Sequence, residues 1–381
     1  MVASSHKKEL EHQLTQLSNK RHCLLVSRGA TALYLSYLVV RKLSKKKDSA
    51  SAGRIVLPAI MCHSPANVAL YAGFEIIFCD VVADDYTLDS NCLRNILQTT
   101  PGVLAVVSVS IFGHAPNMTE ISSACKEFDV WLIDDAAQAI GGFCVNQPLG
   151  GWGDIGIYSF GHAKIIDVGW GGAIMTDNLS IYEECTKLYN ELPEPNAEQS
   201  ELRMVYSEAY YSVERLTTKS PLLNPLFWNF PTIFRSLYIY KEDGSDEKLK
   251  KIGHKLEALN ENIKKRHLYW DDYRTRIAEN RVIEFPLVRE GSVPWRFTFR
   301  IKKEKRNKIV TELRARRIDV STWYPSLADR FSTAQSFRDG LNLPVSEILT
   351  NELINLWVDP EKINMEAIST TCGIINALVR E

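Results

Sequence analysis

The chain has 381 residues, 45% of them hydrophobic, enough for a large core and a smaller second domain. Its 45 Lys and Arg against 46 Asp and Glu leave a formal net charge of −1, which offers no electrostatic footprint for nucleic acid or an anionic membrane. The eight cysteines (Cys23, Cys62, Cys79, Cys92, Cys125, Cys144, Cys185 and Cys372) form no C-x-x-C pair, so zinc-ribbon and thioredoxin-type readings fall away and reduced, packed thiols are expected. The opening MVASSHKKELEHQL is polar, without the apolar core of a signal peptide, and no apolar run reaches membrane-span length. A cytoplasmic location is the expectation.

Residues 5–20 read as a polar helix. A strand-like piece from Cys23 to Val26 leads into SRGATALYLSYLVVRKL, an apolar helix that opens at a small-residue turn. RIVLP (54–58) reads as a buried strand, PANVALYAGF (65–74) as a helix ended by Gly73, and EIIFCDV (75–81) as a strand. LDSNCLRNIL (88–97) is a helix with Asp or Ser near its start, VLAVVSVSIFG (103–113) an apolar strand, MTEISSACKEF (118–128) a helix and VWLIDD (130–135) a strand. This alternation implies a parallel sheet with helices on both faces. Ligands of such sheets sit beyond the carboxyl ends of the strands.

The pattern loosens from about 178 to 250, through ELPEPNAEQS and SPLLNPLFWNFP, and predicts an irregular, partly helical insertion with a lid as one role. A single long charged helix, roughly Asp246 to Asn280, then bridges to a C-terminal domain. That domain holds the strand WRFTFRIKK (295–303), the helix KRNKIVTELRARRI (305–318) and a last helix near 364–379. The expected division is 1–250 for a large domain and 251–381 for the bridging helix and small domain.

Three segments carry candidate chemistry. In Ser27-Arg28-Gly29-Ala30-Thr31-Ala32-Leu33, a glycine at the mouth of a helix leaves backbone N–H groups for a phosphate; a plain helix start would look the same. Asp134-Asp135-Ala136-Ala137-Gln138 follows a strand. A carboxylate there can pair with a protonated pyridine nitrogen and keep the ring an electron sink, or simply cap a helix. No His or further carboxylate stands at metal-ligand spacing, so no metal is expected. The third segment is Ser159-Phe160-Gly161-His162-Ala163-Lys164, followed by Gly169-Trp170-Gly171-Gly172-Ala173. A lysine in an apolar, glycine-rich stretch is unusual, and burial frees its lone pair for attack on an aldehyde. A surface lysine in a loop is the alternative. His162 beside it reads as a structural or substrate-contacting residue.

Together these segments resemble the DegT-type sugar aminotransferases, among the fold-type I enzymes that use pyridoxal 5′-phosphate (PLP). The resemblance runs from about residue 20 to 178 and, more faintly, from 250 onward. It is carried by the order and spacing of SRGATAL, VLPAIMCHSPANVALYAGFEIIFCDV, SVSIFGHAPNM, LIDDAAQAIGG, LGGWGDIGIYSF, SFGHAKIIDVGWGGAIMTDN and RIDVSTWYPSL. It implies an α/β large domain with a mostly parallel sheet flanked by helices, plus a smaller C-terminal α+β domain. Lys164 falls on the Schiff-base lysine and Asp135 on the partner of the pyridine nitrogen. Gln138 falls beside the ring and its 3′-oxygen, Ser159 on a phosphate ligand, and Gly29 and Ala30 on its backbone N–H donors. The resemblance further implies a homodimer and transfer of an amino group from glutamate or glutamine to a keto-sugar, in nucleotide-linked form.

The chain also departs from the family. Ala30 replaces the usual Thr or Ser, so the hydroxyl contact is lost or passes to Thr31. Cys62 stands where an aromatic usually stacks on the ring. The Asn-Tyr-Arg-Met-type segment that reaches the partner's phosphate has no match, and Gly-Trp-Gly-Gly (169–172) replaces Gly-Glu-Gly-Gly. Three rivals stay open. A two-residue slip would put His162 at the lysine position, as in sugar dehydratases. Another PLP reaction, decarboxylation or aromatisation, could run on the same site. A catalytically degenerate, PLP-binding regulatory homologue is the third.

Overall fold

The computed structural model describes residues 5–44, 53–195, 237–277, 282–328 and 342–380, with isolated positions between 198 and 212. In chain order the first part runs α1 (Ser5–Ser18), β1 (His22–Val26), α2 (Gly29–Leu43), β2 (Arg54–Pro58), α3 (His63–Tyr71), β3 (Glu75–Cys79), α4 (Ser90–Thr99) and β4 (Val103–Val109). A 3-10 turn (Ile111–Gly113) leads to α5 (Met118–Glu127), β5 (Trp131–Asp135), the small hairpin β6 (Phe143–Cys144) and β7 (Gln147–Pro148), β8 (Ile155–Ser159), β9 (Gly172–Thr176) and α6 (Leu179–Glu191). After residue 237 come α7 (Asp246–Glu257), α8 (Leu259–Arg276), β10 (Ile283–Glu284), β11 (Arg296–Ile301), α9 (Lys303–Ala315), β12 (Val320–Ser321), α10 (Pro344–Glu352), β13 (Leu353–Trp357) and α11 (Met365–Arg380).

The short aliphatic runs are strands because each is buried on both faces and too brief for a helix; β4 is buried along its whole length. They pair in the order β1-β9-β8-β5-β4-β2-β3. The pairs from β8 through β5, β4 and β2 to β3 are parallel, while β9 is antiparallel to both β8 and β1. All strands except β9 therefore end at one edge, where a ligand is expected. The loop between β8 and β9 is a return loop at that edge and carries Lys164. Register sets Ser159 against Gly172, and Gly172 against Val26. A Cβ on Gly172 would lie 2.4 Å from the Arg28 carbonyl carbon, so only glycine lets the three strands meet.

Helix starts follow ordinary capping. Asp89 accepts from the N–H groups of Asn91 and Cys92, and Asn178 from those of Ser180 and Ile181. Helix α3 ends at Ala72, with Gly73 following in the left-handed region at φ 77°. Helix α2 buries Thr31 to Tyr37 without interruption, because it packs against α3 and α6 as well as the sheet. Among the described residues no helix is long and apolar enough to cross a membrane.

The second sheet runs β10-β11-β13-β12, all antiparallel. Phe297, Phe299 and Ile301 of β11 fill a second apolar cluster with residues of α8, α9 and α11. The opposite face of β11, starting with Arg296 and Thr298, is buried too.

Several expectations need correction. The bridging helix is two helices that meet at Ala258 (φ −84°, ψ 0°). The first packs on α1 and the second on α11. Residues 179–191 are a regular helix rather than the start of an irregular insertion. Its Ile181, Cys185 and Tyr189 are buried. Most of 196–236, where the insertion and lid were expected, lies outside the described residues. The apolar run 103–113 stops being strand at Val109 and turns, with Phe112 at φ 55° and Gly113 at φ 86°. Helix α10 and the central strand β13 were not anticipated, although LINLW is an ordinary buried strand sequence.

That turn docks the second sheet onto the first. Val293 N–H donates to the Gly113 carbonyl (2.8 Å) and Trp295 N–H to the Phe112 carbonyl (3.0 Å). A Cβ on Gly113 would lie 1.7 Å from the Val293 oxygen. Gly113→Ala is expected to cost at least about 2–3 kcal/mol, through positive φ and a backbone clash together. A urea midpoint equal to that of the parent protein would count against this docking role.

Candidate active site

Beyond the carboxyl ends of the strands lies a cavity walled by Gly29 and Ala30 of α2, Asp135 and Gln138 after β5, Ser159 of β8 and Lys164 of the return loop. Cys62 and Ser64 close a further side. Six of the seven residues singled out in the sequence therefore meet in one place.

At one end is the mouth of α2. Arg28 is extended (φ −156°, ψ 159°) and no side chain caps the helix; the first helical bond runs from Ala32 N–H to the Arg28 carbonyl. The N–H groups before it are the ones a helix leaves for an anion. A Cβ on Gly29 would lie 2.9 Å from both Cβ and Oγ of Ser159, so glycine here lets the serine hydroxyl reach the helix mouth. Thr31 stands apart. Its hydroxyl donates to the Tyr238 carbonyl (2.9 Å) and lies 3.0 Å from Ser27 Oγ. Its side chain fastens the 238–240 segment and does not replace the hydroxyl missing at Ala30.

The two aspartates divide their work because neighbours on a strand face opposite ways. Asp134 Oδ2 accepts from Gly150 N–H (2.6 Å) and Trp152 N–H (3.1 Å), holding the loop after β7. Burial raises its carboxyl to about 7. Asp135 lines the cavity. Burial raises its carboxyl too, against the opposing pull of the Lys164 charge and the Ala137 N–H. A buried carboxyl that resists ionisation is stabilised by a cation brought to it.

Gln138 is clamped at both ends. Its Oε1 accepts from Phe112 N–H (2.8 Å), and its Nε2 donates to the Tyr324 hydroxyl (3.1 Å). Tyr324 in turn stacks on Phe112, ring centroids 5.7 Å apart. On the Lys164 side, Trp295 Nε1–H donates to the Ala163 carbonyl. The C-terminal segments thus hold two walls of the cavity. The sequence singled out the Trp-Tyr-Pro segment by resemblance alone, and no local signal tied Trp295 to the lysine loop.

The return loop is tied by Ala163 N–H to Asp167 Oδ2 (2.9 Å) and by Val168 N–H to the Phe160 carbonyl (3.0 Å). His162 has 83% of its side chain exposed and lies 3.7 Å from Asp167. The residue that reaches the cavity is Lys164, and the register slip that would substitute His162 has no geometric support.

Cys62 occupies the wall where an aromatic was expected. Its Sγ lies 3.9 Å from His63 Nδ1 and 3.8 Å from Ser64 Oγ. Burial pushes the thiol up, but His63 first, then Lys164 and the Ser64 N–H, outweigh it and bring it down to about 7. Burial instead raises Cys23, Cys79, Cys125, Cys185 and Cys372. Because the thiolate is the nucleophile, iodoacetamide at neutral pH should label Cys62 before those five, faster as pH rises through about 7. Peptide mass spectrometry checks this, and uniform slow labelling of all six would contradict it.

The model of the DegT/DnrJ/EryC1/StrS aminotransferase family matches residues 2–204 and 252–375. The UDP-4-amino-4,6-dideoxy-N-acetyl-beta-L-altrosamine transaminase of Campylobacter jejuni subsp. jejuni serotype O:2 is 28% identical over 177 residues, 46% of this chain and 45% of that protein. The GDP-perosamine synthase of Escherichia coli O157:H7 is 25% identical over 177 residues, 46% of each chain. The matched stretch spans about half the length of these curated relatives. Among solved structures, the aminotransferase TlmJ from Streptoalloteichus hindustanus superposes with a TM-score of 0.77 at 18% identity, covering 99% of this chain and 92% of that one; this likeness speaks for the fold alone. With its family model spanning both sheets, the chain belongs to the DegT/DnrJ/EryC1/StrS aminotransferase family.

Proposed function

We propose that this chain is a PLP-dependent aminotransferase that passes an amino group from glutamate or glutamine to a nucleotide-linked keto-sugar. The observation that carries the reading is the meeting of Lys164 and Asp135 in one cavity whose end is an uncapped helix mouth beside Ser159. The residues fit the cofactor group by group. Lys164 offers an amine to the aldehyde, Asp135 a carboxylate to the ring nitrogen and Gln138 a clamped amide to the 3′-oxygen. Gly29, Ala30 and Ser159 offer N–H and hydroxyl groups to the phosphate. When bound, PLP supplies an electron sink for the donor's α-carbon.

The chain's own residues do the rest. Lys164 would hold the cofactor covalently and, as a free amine, would move the donor's α-proton as general base and then acid. Asp135, desolvated and with its carboxyl pushed up, favours a cation beside it and so keeps the ring nitrogen protonated. Gln138 cannot swing away, because Phe112 and Tyr324 hold both ends of its amide.

The sugar acceptor is supported by the names of the matched transaminase and perosamine synthase. A second apolar cluster drawn only from residues between Trp270 and Val379 supports a small domain within 251–381 beside a cofactor-binding body of residues 1–250, whose own cluster also takes in Leu259, Trp295 and Leu349. The homodimer rests on family resemblance, and the cytoplasmic location on eight free cysteines suited to a reducing compartment.

Lys164→Ala should abolish turnover and the yellow colour of the loaded protein; full transamination by this variant would sink the assignment. Asp135→Asn should keep the cofactor but slow exchange of the donor α-proton by roughly 10²–10³-fold. Proton NMR in deuterated buffer reads that rate, and an unchanged value would remove Asp135 from its role.

A further inference from the structure

Two of the eight free cysteines stand against each other. Cys79 closes β3 and is fully buried, while Cys92 is the third residue of α4 and half-buried. Each thiol is the other's side-chain hydrogen-bond partner. Neither lines the Lys164 cavity, and the proposed transamination leaves both unused.

Their approach is built into the backbone. Asp89, the cap of α4, touches both: its carbonyl oxygen lies 3.6 Å from Cys79 Sγ, and its Oδ1 accepts from Cys92 N–H (3.1 Å). Asp89 N–H donates to the Asp80 carbonyl (3.1 Å), Val82 N–H donates to the Thr87 carbonyl (2.7 Å), and Val81 bridges Leu88. The segment from Cys79 to Cys92 is therefore a paired stem with a cysteine at each foot. A covalent bridge there closes a loop whose ends are already together.

The two thiols differ in reactivity. Cys92 sits in the first turn of α4, where the helix dipole favours a negative sulfur. The Cys79 thiol first, then the Asp80 N–H, hold the Cys92 thiol below its ordinary range, against burial and the carboxylates of Asp89 and Asp80. Burial, and then the same contact, push Cys79 well up. Cys92 is thus the sulfur that a solvent-borne oxidant reaches as thiolate, and Cys79 is a shielded neighbour in contact with it. Redox-active pairs combine these two properties. The other thiols with resolved shifts lack the arrangement. Cys62 belongs to the cofactor cavity, and burial raises Cys23, Cys125, Cys185 and Cys372.

We propose that Cys79 and Cys92 form a reversible disulfide, with a hydroperoxide as oxidant and a dithiol as reductant. The Cys92 sulfur attacks a peroxide oxygen. An S–O bond forms, the O–O bond breaks, and the leaving oxygen takes the Cys92 proton and departs as water or alcohol. Cys92 is then a sulfenic acid. The Cys79 sulfur attacks it; the S–S bond forms, the S–O bond breaks, and the hydroxyl leaves as water with the Cys79 proton. The two sulfurs lose the two electrons that the peroxide gains. The bridge fastens to α4 the strand end whose Asp80 caps α10, accepting from Val345 N–H (3.0 Å) and Ser346 N–H (2.9 Å). This site stands whether or not the aminotransferase reading holds.

The test treats the reduced, PLP-loaded protein with hydrogen peroxide and dimedone, a trap for sulfenic acids. Peptides are cut before aspartates, which fall between the two cysteines, and weighed without reduction. In the wild type the Cys79 and Cys92 peptides should be joined and lighter by two hydrogens, and dithiothreitol should separate them. Cys79→Ser should lose the bridge and carry dimedone on Cys92. Cys92→Ser should lose the bridge and leave Cys79 unmodified. Wild-type Cys92 that collects dimedone without bridging would show that Cys79 does not resolve it, and would overturn the proposal. A bridge between the Cys92 residues of two copies would overturn it too, as would peroxide that oxidises Cys62 and leaves Cys92 a thiol. The wild-type reading decides the matter even where a serine variant fails to fold.

Discussion

Gly172 pairs with Ser159 on one side and Val26 on the other, and the cavity depends on that three-strand contact. It brings the end of β8, the start of β9 and the end of β1 to one point on the sheet edge. From there the chain after β1 becomes the mouth of α2, and the chain after β8 becomes the Lys164 loop. Because β9 returns directly, the loop is closed by sheet hydrogen bonds at both ends and its lysine is held at the cavity that Asp135 lines. A helical crossover would have carried the lysine away from the edge. The glycine is required because a side chain there would meet the Arg28–Gly29 backbone.

Charge placement then separates scaffold from site. Asp134 and Asp135 are adjacent and both buried, yet Asp134 spends its carboxylate on the backbone of the next loop while Asp135 faces the cavity. Arg266 and Arg296, both buried, differ in their partners. One has a full set of acceptors; the other has rings and no acceptor for two of its nitrogens.

The second sheet belongs to the site rather than beside it. The Gly113 turn docks the strand start at Trp295, Trp295 reaches the lysine loop and Tyr324 reaches Gln138. Clamping Gln138 from two sheets makes the cavity a shared construction of both parts of the chain.

The sequence alone determined most of the first sheet, because buried strands and capped helices leave local signatures: unbroken aliphatic runs, Asp89 at a helix start, Gly73 at a helix end. It also pointed to Gly29, Asp135 and Lys164, since a glycine before a helix, an aspartate ending a strand and a lysine among glycines are legible within a few residues, while Ala30, Gln138 and Ser159 came from the family resemblance. Tertiary structure decided what depends on distant partners. The split of the bridging helix at Ala258 answers to α1 and α11, which lie far apart in sequence. The outward turn of His162 and the diversion of the Thr31 hydroxyl to Tyr238 are set by groups that no local window contains. Arg296 reads in sequence as one more charge at the start of a strand. Only the packing of three indoles around it leaves two of its nitrogens without an acceptor among the described residues.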